Sequence, residues 1–178
     1  VGKYSDPAVG TWVLECTKCA PGKFQSNTGQ ANCEDCPAGY FGTAEGAVTC
    51  PDACGVGTFS TGGAIACTAC NAGSVQAATA SAACTACGSG TYQPLIAQTA
   101  CLDCAAGQIT DRATAATTCT ACAPGTFSSA AGQTVCAVCQ PGYVQPLPSA
   151  TDCNGACVDL ITDLSHCGGC NVICGASE

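Results

Sequence analysis

Cys19-Ala20-Pro21-Gly22-Lys23-Phe24, running on through Gly29 to Cys33, is a phrase that this chain repeats. At Cys36 it begins again with Pro37, Ala38, Gly39, Tyr40 and Phe41. The first cysteines of successive pairs fall at positions 16, 33, 50, 67, 84, 101, 119, 136 and 153, and their partners at 19, 36, 54, 70, 87, 104, 122, 139 and 157. The period is 17 residues, with one step of 18 between Cys101 and Cys119. A repeat this regular decides the architecture before any local propensity does.

Each repeat carries a glycine three residues after its second cysteine, from Gly22 and Gly39 through Gly142. Glycine there reads as a turn residue, free to take φ > 0. Two residues further on stands one apolar side chain: Phe24, Phe41, Phe59, Val75, Tyr92, Ile109, Phe127 or Val144. These residues start a short extended strand and are the expected packing residue of each repeat. A second small residue lies four before the next first cysteine (Gly29, Gly46, Gly63, Ala80, Ala97, Ala115, Gly132, Ser149), which predicts a second turn. One sizeable apolar side chain cannot give a cramped hairpin a core, so covalent staples must replace burial.

Composition agrees. Of 178 residues 21 are Cys, with four Phe, four Tyr, one Trp and no Met, and that cysteine density marks a disulfide scaffold. Thiols at this density imply an oxidising, extracellular setting. No apolar run is long enough for a membrane span, so no direct membrane insertion is expected. A net charge of −8, with Lys3, Lys18, Lys23 and Arg112 the whole basic complement, argues against nucleic acid, which needs clustered Lys and Arg. Between Asp52 and Asp103, and again from Ala113 to Thr151, no charged residue occurs. Soluble surfaces usually carry roughly a quarter to a third charge. This Ala/Thr/Ser/Gly surface points either to low-complexity drift in a spacer or to a covered surface. The cover would be neighbouring copies or O-linked glycans; no N-x-[ST] sequon is present.

Residues 1–16 read as the tail of a repeat whose head lies upstream, which would leave Cys16 without its partner in this chain. Residues 17–153 read as eight tandem repeats. The chain has neither an initiator Met nor a signal peptide, so a piece of a longer secreted polypeptide is expected. A bridge inside Cys-x-x-Cys is local and strained. A bridge from the second cysteine of one pair to the first of the next closes a loop of about 15 residues, worth roughly 3 kcal/mol. The expected bridges are Cys19–Cys33, Cys36–Cys50, Cys54–Cys67, Cys70–Cys84, Cys87–Cys101, Cys104–Cys119, Cys122–Cys136 and Cys139–Cys153. The resulting fold class is small and disulfide-rich: an elongated rod of tandem hairpin repeats with short β-strands, each repeat touching only its neighbours.

Cys-x-x-Gly-x-Phe closed by a cysteine after 13 intervening residues resembles the loop module of tumour necrosis factor receptor ectodomains. It also resembles the cysteine-rich repeats of ephrin receptors. In those modules the bridge spans the loop. The resemblance implies an extracellular spacer. Residues 154–178 depart from the period. Cys157-Val158-Asp159-Leu160 and His166-Cys167-Gly168-Gly169-Cys170 through Cys174 resemble the stigma-specific cysteine-rich proteins of plants, and Cys157, Cys167, Cys170 and Cys174 allow three pairings. The mixture is similar to proteins of algal flagellar hairs, the mastigonemes.

Zinc ribbons and thioredoxin-like centres also use Cys-x-x-Cys. A fixed period in an acidic chain without a βαβ pattern favours staples instead. His166 is the single histidine, so no Ser-His-Asp set exists. Asp152, Asp159 and Asp163 lack the alternation of an EF-hand loop and read as a solvated face. No enzyme, cofactor or metal is expected. The leading function is a structural subunit of an extracellular filament or coat that self-associates. The alternative is the spacer or ligand-binding ectodomain of a cell-surface receptor or adhesin.

Overall fold

A computed structural model describes residues 1–5, 16–123, 125–139, 143–144 and 158–159. Its regular structure is entirely short strand: β1 (Lys3–Ser5), β2 (Cys16–Lys18), β3 (Lys23–Phe24), β4 (Glu34–Asp35), β5 (Tyr40–Phe41), β6 (Asp52–Ala53), β7 (Thr58–Phe59), β8 (Thr68–Ala69), β9 (Ser74–Val75), β10 (Thr85–Ala86), β11 (Thr91–Tyr92), β12 (Leu102–Asp103), β13 (Gln108–Ile109), β14 (Thr120–Ala121), β15 (Thr126–Phe127), β16 (Ala137–Val138), β17 (Tyr143–Val144) and β18 (Val158–Asp159). Among the described residues there is no helix.

The two strands of a hairpin come from the two halves of the repeated phrase. The first holds the residue after the turn glycine and the apolar residue beyond it. The second is the residue pair just before the next second cysteine, except in the last hairpin, where Val158–Asp159 lies beyond Cys157. Thus Lys23 stands opposite Asp35 and Phe24 opposite Glu34, while Tyr40 faces Ala53 and Phe41 faces Asp52. The two residues before each second cysteine from Cys36 to Cys139 are therefore strand. One cysteine closes a loop at its start, and the next opens the following loop at its end.

Entry to the first strand is a tight turn. The Lys23 N–H donates to the Ala20 carbonyl at 3.1 Å, with Pro21 and Gly22 between them and Gly22 at φ +81°. Proline followed by a residue with φ near +80° is the signature of a type II turn. Where the residue after the glycine is Thr or Ser, its hydroxyl reinforces the turn. Thr58 Oγ1 reaches the Gly55 carbonyl at 2.7 Å and Ser74 Oγ reaches that of Asn71 at 2.8 Å.

Seven bridges staple the described loops: Cys19–Cys33, Cys36–Cys50, Cys54–Cys67, Cys70–Cys84, Cys87–Cys101, Cys104–Cys119 and Cys122–Cys136. Cys139 is also bridged. The assignment of Cys153 as its partner, and of Cys157, Cys167, Cys170 and Cys174, lies outside the described residues. Loop lengths differ by one residue either way, with sequence separations of 13 in Cys54–Cys67 and 15 in Cys104–Cys119. The difference falls between the apolar residue and the second turn. In the longer loop the extra residue is absorbed in the exposed run Asp111–Ala115.

The chain divides into two compact units, Val1–Thr85 with Ile96–Ala100, and Ala86–Leu95 with Cys101–Glu178. The boundary crosses a loop because the far arm of each loop hands its backbone to the preceding repeat. Ala97 N–H, for instance, donates to the Cys70 carbonyl at 2.8 Å.

Candidate functional site

Within each unit the described second cysteines form a buried spine. Cys19, Cys36, Cys54, Cys70, Cys87, Cys104 and Cys122 are each at most 1% exposed, whereas their bridge partners are half-buried. Cys19, Cys36, Cys54, Cys70 and Cys104 are also backbone hubs. In the first unit, Cys36 N–H donates to the Gly22 carbonyl and the Cys36 carbonyl accepts from Gly63 N–H, at 2.8 and 2.9 Å. In the second unit, Cys104 does the same with Gly90 and Gly132, each at 2.9 Å. One residue thus ties its own repeat covalently, the repeat before it through its amide, and the repeat after it through its carbonyl.

The donor to that carbonyl always lies in the left-handed region: Gly46, Gly63 and Gly132 at φ +71° to +75°, and Ala80, Ala97 and Ala115 at φ +53° to +58°. Its own carbonyl covers the turn glycine two repeats back. A Cβ on Gly22 would run into the carbonyl oxygen of Gly63, and one on Gly90 into that of Gly132. Repeats within each unit therefore reach beyond the nearest neighbour, a tighter stacking than the neighbour-only contact expected from sequence. Two parallel bridges, Phe24 with Ala47 and Val75 with Gln98, add a further seam in the first unit.

The apolar residues Phe24, Phe41, Phe59, Val75, Tyr92, Ile109 and Phe127 are all half-buried. The residue after each of them goes deeper in most repeats, and there it is polar: Gln25, Ser60, Gln93, Thr110 and Ser128 are 2–8% exposed. Sequence reasoning passed over this position. Its signal was faint: a polar or small residue (Gln, Gly, Ser or Thr) following every apolar one. A buried polar group must find partners. Gln25 does so within its own loop, donating from Nε2 to the Asn32 carbonyl at 2.8 Å and accepting from Asn27 N–H at 2.9 Å. Gln76 repeats the arrangement with Ala83 and Ala78. The hydroxyls reach the preceding repeat: Ser60 Oγ donates to the Tyr40 carbonyl at 2.8 Å, and Thr110 Oγ1 accepts from Gly90 N–H at 3.1 Å. At the equivalent Gly42, a Cβ would lie 3.2 Å from the Cys36 sulfur.

Outside this spine the surface is plain. Val48, Val56 and Ile65 in the first unit, and Val135 and Val138 in the second, are exposed. Among the described residues no three His, Cys, Asp or Glu side chains converge as a metal site, and no helix is long and apolar enough to cross a membrane. Cys16 is an exposed free thiol. His166, Asp152 and Asp163 lie outside the described residues, as does the side chain of Val144.

The family described as tyrosine-protein kinase ephrin type A/B receptor-like matches residues 2–54 and 73–117, more than half of the chain. The chain belongs to this family. The ephrin-receptor-like match spans the repeats from Gly2 to Cys54 and from Gly73 to the loop that Cys119 closes. The intervening Cys54–Cys67 repeat, outside the match, keeps the same hub: Cys54 N–H to the Gly39 carbonyl and Cys54 carbonyl to Ala80 N–H, both at 2.8 Å. No curated protein matches the chain. Ephrin-receptor-like cysteine-rich repeats of this kind are not enzymatic, and with their many bridges they suggest an extracellular ectodomain.

Proposed function

We propose that the chain is a structural segment of an extracellular protein: a stiff, disulfide-stapled rod whose copies pack together into a filament or coat of the mastigoneme kind. The observation that carries the reading is the hub role of the second cysteines. A repeat tied by one bridge and by backbone bonds to both neighbours resists bending without a hydrophobic core, as a spacer under tension must. Two charge-free stretches, residues 53–102 and 113–151, together with exposed Val48, Val56, Ile65, Val135 and Val138, favour lateral packing between copies. Burying such surface strips no charges of water. O-linked glycans on the abundant Thr and Ser are the other cover for the same surface.

A second reading, the spacer or ligand-binding part of a receptor or adhesin ectodomain, is favoured by the family match. Sedimentation and negative-stain microscopy of the oxidised chain separate the two. Concentration-dependent growth into fibres is expected for the filament subunit, and monodisperse particles at all concentrations would establish the receptor spacer instead. Intact mass of material from the native source, before and after removal of O-glycans, tests the glycan cover.

A further inference from the structure

Three of the chain's four basic residues stand together in the first compact unit, in a protein of net charge −8. Lys3 on β1 lies directly opposite Lys18 on β2. The same register position in the next hairpin holds Lys23 opposite Asp35, a hydrogen-bonded ion pair. Later hairpins place Tyr40 against Ala53, Thr58 against Ala69, Thr91 against Asp103 and Thr126 against Val138. The first hairpin of this series thus opposes like charges, an arrangement that destabilises a strand pair. Among the described residues neither Lys3 nor Lys18 has a carboxylate in ion-pair contact.

Lys18 borders an open cleft of about 410 Å³ lined also by Tyr4, Thr17, Lys23 and Asn32, and Lys3 stands across from Lys18 on β1. Lys18 is steadied there, since its Cγ and Cδ run alongside Gly46 of a following repeat. The cleft offers the Lys18 ammonium, two hydroxyls, an amide and one ring, beside a Lys23 ammonium already held by Asp35. Its other lining is Ala20 and the Cys33 end of a bridge, with no deep apolar hole for a peptide side chain.

We propose that this cleft binds an acidic glycan, with Lys18 meeting a carboxylate or sulfate group, Lys3 adding its charge from the facing strand position, and Tyr4, Thr17 and Asn32 meeting the sugar ring and its hydroxyls. An anion seated there offsets the Lys3–Lys18 repulsion, and open polar clefts with one aromatic face suit a polyol better than a side chain.

The test is calorimetry on the full chain with its bridges intact, at low salt, with a heparin-derived oligosaccharide and with a polyuronate oligomer. The first carries sulfate and carboxylate and the second carboxylate alone, so the pair identifies the anion. Binding of at least one is expected, weakened about tenfold by Lys18→Gln, as loss of one charge-assisted contact implies, and by a smaller factor by Lys3→Gln, which removes a charge beside the cleft. Arg112→Gln, on an exposed loop of the other unit, is expected to leave it unchanged. Failure of both oligosaccharides to bind would overturn the proposal. So would affinity indifferent to both lysine variants, or equal affinity for oligoglutamate or a neutral maltooligosaccharide. Both lysines are exposed, and near-native amide spectra of each variant show that a loss is not misfolding. None of these outcomes bears on fibre growth, which is measured without glycan.

Discussion

At the scale of single residues, the fold turns on backbone conformations that only some side chains tolerate. Ala80, Ala97 and Ala115 sit at φ +53° to +58°, where an alanine pays roughly 1–2 kcal/mol against the right-handed region. Ala97→Gly is expected to stabilise the chain by about 0.5–1 kcal/mol, the relief exceeding the added freedom of the unfolded glycine, read as a higher urea midpoint under non-reducing conditions. Gly22→Ala has the opposite sign. Its Cβ meets the Gly63 carbonyl, which cannot retreat without breaking the bond from Gly63 N–H to Cys36, so a loss of about 2 kcal/mol or more is expected in the same titration. The buried polar position gives a third measurement. Gln25→Ala orphans the Asn27 N–H and the Asn32 carbonyl, and a loss of about 1–3 kcal/mol is expected. Surface substitution at Val48 is expected to stay within about 0.5 kcal/mol.

At the scale of the hairpin, two-residue strands are too short to hold themselves together in water. The bridge and the hub bonds do what ladder length does elsewhere. Replacing Cys36 and Cys50 by Ala opens one loop, at a cost of roughly 3 kcal/mol in the chain-entropy account. The loss is not confined to that loop, because the Cys36 backbone also joins Gly22 and Gly63. Amide hydrogen exchange should therefore show Gly63 N–H and the β3–β4 and β7–β8 hairpins losing protection along with β5–β6. Protection loss restricted to β5–β6 would show that the bridge acts only on its own loop.

At the scale of the whole molecule, the largest fully buried side chains among the described residues are, but for Ser60, cysteines, and stability rests on oxidation state. Alkylation without reductant is expected to label Cys16 and to spare the cysteines of the seven bridges, all of which react after reduction and denaturation. Reduction alone is expected to collapse thermal stability and expose the chain to protease throughout, since no apolar core remains to hold the loops.

The amino-acid sequence by itself determined the repeat, the turn glycines and the reliance on disulfides, because each is a local or periodic property. Gly22 after Pro21 states its turn within four residues, and a cysteine ladder shows its period in one dimension. Tertiary structure alone decided which cysteine of each pair is buried, that the residues between the cysteines are the returning strand, and that Gln25 and Ser60 lie deeper than Phe24 and Phe59. It also decided that Gly63 lies over Gly22, two repeats away. These facts depend on where one repeat places its carbonyls on another, a stacking set by many small backbone contacts that leave no pattern of polar and apolar residues to read.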